Sequence, residues 1–247
     1  GSQTSPGITL ASTGNPELKW ETTYQNNIGI DLQFLSGAIN VSADFYIKKT
    51  KDMLTIPPAL DVAGENAAMW LNTGDMKNTG WELSIGYTSP QYGDFSWNGA
   101  LNLSQYKNKL VTLNSRQEFI GGDARLIPGQ PMGVYYGYVC DGIFQNAVEV
   151  ANHATQPGAA PGRLIYRDLD GNGVIDDNDR CIIGDPNPDL SMGLNLGFKY
   201  KAFSLDMFFA GDFGFDIQNH MKRQLLFMTY GDPSTNRGVD ILNAWTP

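Results

Sequence analysis

The sequence is short of charge, histidine and cysteine, and it has no long apolar run. Charged residues fill 17% of its 247 positions, below the usual quarter, so neutral Asn, Ser, Thr and Gln must supply much of the polar surface. The net charge is -9 and no cluster of five Lys or Arg occurs. That excludes a nucleic-acid partner, because a phosphate backbone needs a basic patch. The two histidines, His153 and His220, stand far apart, and HExxH, GxSxG and GxGxxG are all absent. Zinc hydrolysis, serine-triad chemistry and dinucleotide binding therefore lack their residues, and no catalytic residue is nominated. No segment approaches the ~18 consecutive apolar residues of a membrane helix, and no signal-peptide pattern opens the chain. A membrane barrel passes that test unseen, because its strands alternate.

Alternation is what the chain has. Ile28, Ile30, Leu32 and Phe34 fall on one face and Gly29, Asp31 and Gln33 on the other. After Ser36-Gly37, Ile39, Val41, Ala43, Phe45 and Ile47 alternate with Asn40, Ser42, Asp44, Tyr46 and Lys48. Side chains of a strand point to opposite faces in turn, so this period of two predicts a hairpin with one apolar and one polar face. Four further runs behave alike. The predicted strands cover about 24–34, 38–48, 80–89, 95–106, 190–200 and 203–210. Long irregular connections fall at about 50–79, carrying Pro57-Pro58 and Gly64, at 109–189 and at 211–247.

Short and long connections thus alternate, as in outer-membrane barrels with tight turns on one side and long loops on the other. The expected fold is all-β, an antiparallel up-and-down meander forming part of an outer-membrane β-barrel. Six strands cannot close, since the smallest membrane barrels use about eight. Gly1-Ser2 and the stop at Pro247 within a polar stretch fit ends cut from something longer. On this reading Asp31, Gln33, Asp44, Glu82, Asn98, Asn102, Asn195 and Asp206 line a wet lumen, while the apolar face meets lipid. Tyr24, Trp81, Tyr87, Phe95, Trp97, Tyr200 and Phe203 fit interfacial girdles, and equally the core and edges of a soluble sheet. The rival readings are a calcium-stabilised surface β-sandwich that binds carbohydrate through Trp70 or Tyr135-Tyr136, and a glycan hydrolase domain.

Ordered segments carry a resemblance. NPELKWE before the first hairpin, FYIKKTKDML after it, TGDMKNTGWEL, FSWNGALNLSQYKNKL and PGQPMGVYYGYVCDGIFQN, then YRDLDGNGVIDDNDRCIIGDPNPD, together resemble the C-terminal part of a SusC/RagA-type, TonB-dependent outer-membrane transporter. The resemblance runs from about Asn15 onward. It implies a larger barrel in the cell outer membrane, filled by a plug domain that is absent from this sequence and that takes energy from TonB. It also implies a SusD-like lipoprotein lid and import of oligosaccharides or peptides.

The sharpest local motif is DLDGNGVIDDND, from Asp168 to Asp179. Side-chain oxygens fall at positions 1, 3, 5, 9 and 12 with Asp168, Asp170, Asn172, Asp176 and Asp179, and Val174 stands at position 7 to offer its carbonyl. Gly173 occupies position 6, where a calcium loop turns sharply. The expectation is a structural Ca2+ site; the bland alternative is a solvated cluster of Asx turns. Cys140 and Cys181, the only cysteines, bracket the motif. Outside the cytoplasm such a pair is a disulfide candidate, and its closure would contribute about 4 kcal/mol in the chain-entropy model.

Overall fold

A computed structural model describes residues 14–55, 70–113, 124–226 and 236–246. In chain order the first strands are β1 (Thr22–Phe34), β2 (Ile39–Thr55), β3 (Leu71–Thr88), β4 (Phe95–Leu113) and the two-residue β5 (Ala124–Arg125). Next come β6 (Val134–Tyr138), β7 (Cys140–Ile143), the helix α1 (Ala147–Asn152), β8 (Leu164–Tyr166) and β9 (Arg180–Gly184). The chain continues through β10 (Leu190–Tyr200), β11 (Phe203–Phe213) and the helix α2 (His220–Leu226). Two compact units result: Gly1–Val134 with Asn187–Phe215, and Tyr135–Pro186 with Asp216–Pro247.

The first unit is a six-stranded antiparallel sheet in the order β1-β2-β3-β4-β10-β11. Its tight turns stand at one end. Leu35, Ser36 and Gly37 take left-handed φ values of 52°, 54° and 88° between β1 and β2, and a side chain at Gly37 would meet nothing within 4 Å. The β3–β4 turn is pinned by Ser89, whose Oγ accepts from the Trp97 amide at 2.8 Å. Lys201 donates its amide to Asp94 O at 3.0 Å, tying the β10–β11 turn to its neighbour.

At the other end β2, β3 and β4 run to 17, 18 and 19 residues, well beyond the ~10 that cross a bilayer. Register shifts between Thr50 and Met53 and between Asp75 and Met76 mark bulges, with Asp52 at a φ of 55°. A bulge turns the side chains that follow it. Past these bulges Met53, Leu110 and Leu126 are buried together against Met76, Leu113 and Met132. Asn108 accepts from the Met132 amide at 2.6 Å and donates to Asn187 Oδ1 at 2.7 Å, so polar bonds close the same end.

These strand ends correct the expected 50–79 connection, which begins only after Thr55 and ends before Leu71. The polar Thr, Asn and Lys residues of the extensions hide the pairing, because past the bulges alternation no longer separates an apolar face from a polar one. Pro57-Pro58 and Gly64 lie outside the described residues. The sheet buries little. A β-sandwich would bury one face of each sheet, yet Ile30, Ile85 and Leu205 are exposed, which removes the sandwich alternative.

The second unit occupies most of the 109–189 connection and part of 211–247, and it is ordered where no periodicity was visible. Two ribbons, β6 with β9 and β7 with β8, use strands of three to five residues, too short to display a period. Side-chain caps do the rest. Asn146 Oδ1 accepts from the amides of Val148 and Glu149 at 3.0 Å and starts α1. Phe144 is buried with its ring edge-on to His153 at 5.3 Å. Trp245 lies over Gly162, whose φ of 83° and missing Cβ leave room for the ring, and its Nε1 donates to Gln145 Oε1 at 3.1 Å.

Candidate functional site

Two regions gather polar side chains, one in each unit. In the sheet, antiparallel pairing carries face identity from strand to strand. Gly29, Asp44, Glu82, Ser104, Ser191 and Asp212 form one continuous cross-strand row, and Asp31, Ser42, Ser84, Asn102, Gly193 and Ala210 form the next. Further rows on this face carry Gln33 with Asn195 and Asn98 with Asp206. All eight residues expected to line a lumen therefore share one face. Ser42 Oγ donates to Asp31, Ser191 Oγ to Asp212, and Ser84 Oγ to Asn102 Oδ1 at 2.8 Å. A shallow groove of about 430 Å³ runs between Asp44, Glu82, Ser84, Asn102, Ser104 and Ser191.

The opposite face is apolar along its middle. Leu32, Val41, Ile85, Leu101, Leu194 and Phe209 make one row, and Ile30, Ala43, Leu83, Leu103, Met192 and Gly211 another. Toward the tight turns Tyr87 packs tilted against Trp97 with centroids 4.7 Å apart, and Trp97 stacks on Phe198 at 6.5 Å. Toward the extensions Trp81 Nε1 donates to Gln105 Oε1 at 2.8 Å. A band of aliphatic side chains with an aromatic rim is what a strand needs on its lipid side.

In the second unit the Asp168–Asp179 loop folds around its own backbone. Asp168 accepts from the amides of Gly171 and Gly173 at 2.7 and 2.8 Å. Asp179, fully buried, accepts from Leu169 and Asp176 at 2.7 and 2.8 Å. The amide of Asp176, aided by that of Leu169, holds the Asp179 carboxyl below the ordinary carboxylate range against the opposing effect of burial. One carboxylate oxygen each from Asp168, Asp170 and Asp179 lies within 4.8 Å of the others. Asn172 Oδ1 accepts from the Val174 amide, and Asp176 caps the turn Asp177–Asp179, so these two expected ligands serve the backbone. Ile175 is buried. Thr155 clamps the loop from outside: its amide donates to Gly173 O at 2.8 Å and its carbonyl accepts from Ile175 at 2.9 Å. Nothing in the sequence motif pointed to Thr155, which precedes it by thirteen positions.

The disulfide expectation is corrected. Cys140 and Cys181 are free thiols in different ribbons: Cys140 pairs with Tyr166 across β7–β8 and Cys181 with Gly137 across β6–β9. The Cys140 thiol lies 3.4 Å from Gly142 O. Of the aromatics named for carbohydrate binding, Trp70 is exposed and Tyr135 and Tyr136 are half-buried on β6.

The family model "TonB dependent receptor-like, beta-barrel" matches residues 2–180. The chain belongs to the TonB-dependent receptor β-barrel family. Receptor barrels of this kind are outer-membrane proteins, so the apolar face of the sheet is its lipid side. The chain is 34% identical over its whole length to TonB-dependent receptor P3 of Formosa agariphila, covering 25% of that protein. It is 28% identical over 90% of its length to TonB-dependent receptor SusC of Bacteroides thetaiotaomicron, covering 22% of it. A solved structure titled as the RagAB peptide transporter superimposes with a TM-score of 0.77 at 24% identity, over 99% of this chain and 26% of that one. The chain thus spans about a quarter of the length of the relatives it matches.

Proposed function

We propose that this chain forms part of the wall of a nutrient importer of the SusC/RagA type, drawing energy from TonB and working with a SusD-like lipoprotein. The observation that carries the reading is the register. Five successive pairings keep every apolar row on one face and every polar row on the other, which separates lipid from a wet channel. The face bearing Asp31, Gln33, Asp44, Glu82, Asn98, Asn102, Asn195 and Asp206 lines the lumen, and cargo too large for simple pores, an oligosaccharide or a peptide, passes along it. The family is one of transporters, and the relatives named SusC and RagAB support a partner lipoprotein.

The Asp168–Asp179 loop serves as a brace that takes structural Ca2+. Asp168, Asp170 and Asp179 would hold the cation, a hard ion suited to carboxylates. Their convergence within 4.8 Å supports that donor set, because a cation would add to the backbone amides in offsetting the mutual repulsion of three carboxylates.

The test is uptake in cells. Removing the full-length transporter should abolish growth on its cargo, and restoring it with an intact TonB-contacting segment should rescue growth. Rescue without TonB would overturn the energised-import reading. Isothermal titration of the full-length protein with Ca2+, in wild type and in Asp170→Asn, tests the brace; equal heats in both would remove it.

A further inference from the structure

The register sorts charge between the two faces of the sheet as well as hydrophobicity. On the face of the aliphatic rows it continues from Ile28, Phe45, Trp81 and Gln105 to Asn26, Ile47, Thr79 and Lys107, and then to Tyr24, Lys49, Lys77 and Lys109. Lys51, opposite Thr22, extends the same face, and its Nζ lies 5.9 Å from the centre of the Tyr24 ring. Five of the seven lysines on the six strands thus stand on the lipid side, all at the end with the long connections. The other two, Lys48 and Lys199, fall on the inner face. Two acids of these strand ends serve the backbone: Asp75 Oδ1 accepts from the Asp52 amide at 3.2 Å and Glu21 Oε1 from the Leu54 amide at 2.6 Å. The third, Asp52, sits on the bulge at a φ of 55°. Among the described residues none of the five outward lysines forms an ion pair.

The height of this row on the wall follows from strand geometry. Ten residues along β2 separate Ile39, at the tight turn, from Lys49. At about 3.4 Å per residue and a strand tilt of about 40° they rise about 26 Å, close to the ~25 Å apolar band that a barrel shows to lipid. The lysines therefore stand where hydrocarbon gives way to headgroups. Lys49, Lys51, Lys107 and Lys109 are exposed and Lys77 is half-buried. Lys49, Lys77 and Lys109 are direct opposites on three adjacent strands. Like charges so placed are destabilising, and an anion shared among them would remove that cost.

We propose that this row binds the phosphates of anionic lipid headgroups in the leaflet on the side of the long connections. Continuity with the aliphatic rows selects the occupant. A lipid delivers its phosphate to this height while its acyl chains cover the rows below, whereas a soluble anion gains nothing from them. Charge complementarity agrees: lysine stems lie along apolar surface with the ammonium at headgroup level, and each adds attraction to an anionic membrane surface. Tyr24, in the same row and 56% exposed, brings the amphipathic ring that favours this interface. The five lysines come from three separate stretches of sequence, and only the strand register assembles them. The inference needs the lipid side of the wall and not the import of any cargo, so it and the import reading fail in separate experiments.

The experiment titrates the full-length transporter, in neutral detergent, with a fluorescent lipid A that carries phosphate and with the same lipid dephosphorylated. Wild type is compared with Lys49→Gln/Lys77→Gln/Lys109→Gln on the outward row and with Lys48→Gln/Lys199→Gln on the inner face. Wild type should bind the phosphorylated lipid at least tenfold tighter than the dephosphorylated one, and added salt should narrow the gap. The outward triple variant should erase the preference and leave the dephosphorylated lipid unaffected, while the inner-face variant keeps it. Lys109→Gln alone should weaken it several-fold, which tests the row even where the triple variant folds poorly. Equal binding of the two lipids by wild type overturns the proposal. So does a preference that survives the triple variant, or one that the inner-face variant loses as fully. Displacement of the lipid by an equal concentration of inorganic phosphate would reveal a site for free anions and overturns it too.

Discussion

The sheet and the second unit solve opposite problems. In the sheet the four inner strands pair their backbones on both sides through long, regular ladders, yet the side chains of its apolar rows lie half or fully open. In the second unit the ladders are three to five residues long, yet Phe144, Ile175 and Asp179 are buried. The sheet is a backbone structure awaiting an apolar solvent, and the second unit is a side-chain structure that brings its own small interior. Stability in the first comes from register plus lipid, and in the second from a few caps and a few buried groups.

That contrast can be broken one residue at a time. The largest effect belongs to Phe144→Ala, which should cost about 3–5 kcal/mol and strip hydrogen-exchange protection from β7, α1 and β8 while β2–β4 amides keep theirs; loss spread over both units would mean that they are not separate. Leu101→Arg, in the middle of an outward row, should destabilise the protein in lipid vesicles by about 2–4 kcal/mol. Leu164→Arg, on the exposed ribbon of the second unit, should change stability by no more than about 0.5 kcal/mol, and similar urea midpoints for the two would sink the lipid assignment.

Asn146→Ala removes the α1 cap and should cost about 1 kcal/mol, read as faster exchange of the Val148 and Glu149 amides alone. The smallest effect concerns acid. Arg167 donates to Asp141 from Nε at 3.0 and 3.1 Å, and this hydrogen bonding holds the Asp141 carboxyl below its ordinary value. A depressed carboxylate stabilises the fold above its unfolded pKa of about 3.9 and loses that contribution as pH falls through the folded value. Asp141→Asn should therefore remove a slight loss of stability below about pH 4, small because both partners are exposed.

Strand existence was legible because lipid and water impose opposite demands on alternate residues, and Ile28 through Phe34 or Leu190 through Tyr200 obey them without exception. Strand length was not, since Asn72 to Thr79 and Tyr106 to Leu113 pair across bulges that break the alternation, with Thr73, Asn108 and Leu110 buried. The acidic loop was legible by spacing, but its clamp at Thr155 and the backbone duties of Asn172 and Asp176 depend on a fold that short ribbons do not announce. Asp212 escaped because its strand was expected to end at 210, three residues early.

The outer strands of the sheet also dictate an order of events. β1 and β11, of 13 and 11 residues, pair on one side within this sheet, so each turns roughly a dozen amides and carbonyls outward. Exposing those groups to hydrocarbon would cost on the order of tens of kcal/mol, more than the apolar rows recover by entering it. The sheet cannot slide into the bilayer first and find its neighbours later. Its passage from water to lipid must be concerted with capture of both flanks, so the rate of membrane entry is set by strand capture and not by hydrophobicity.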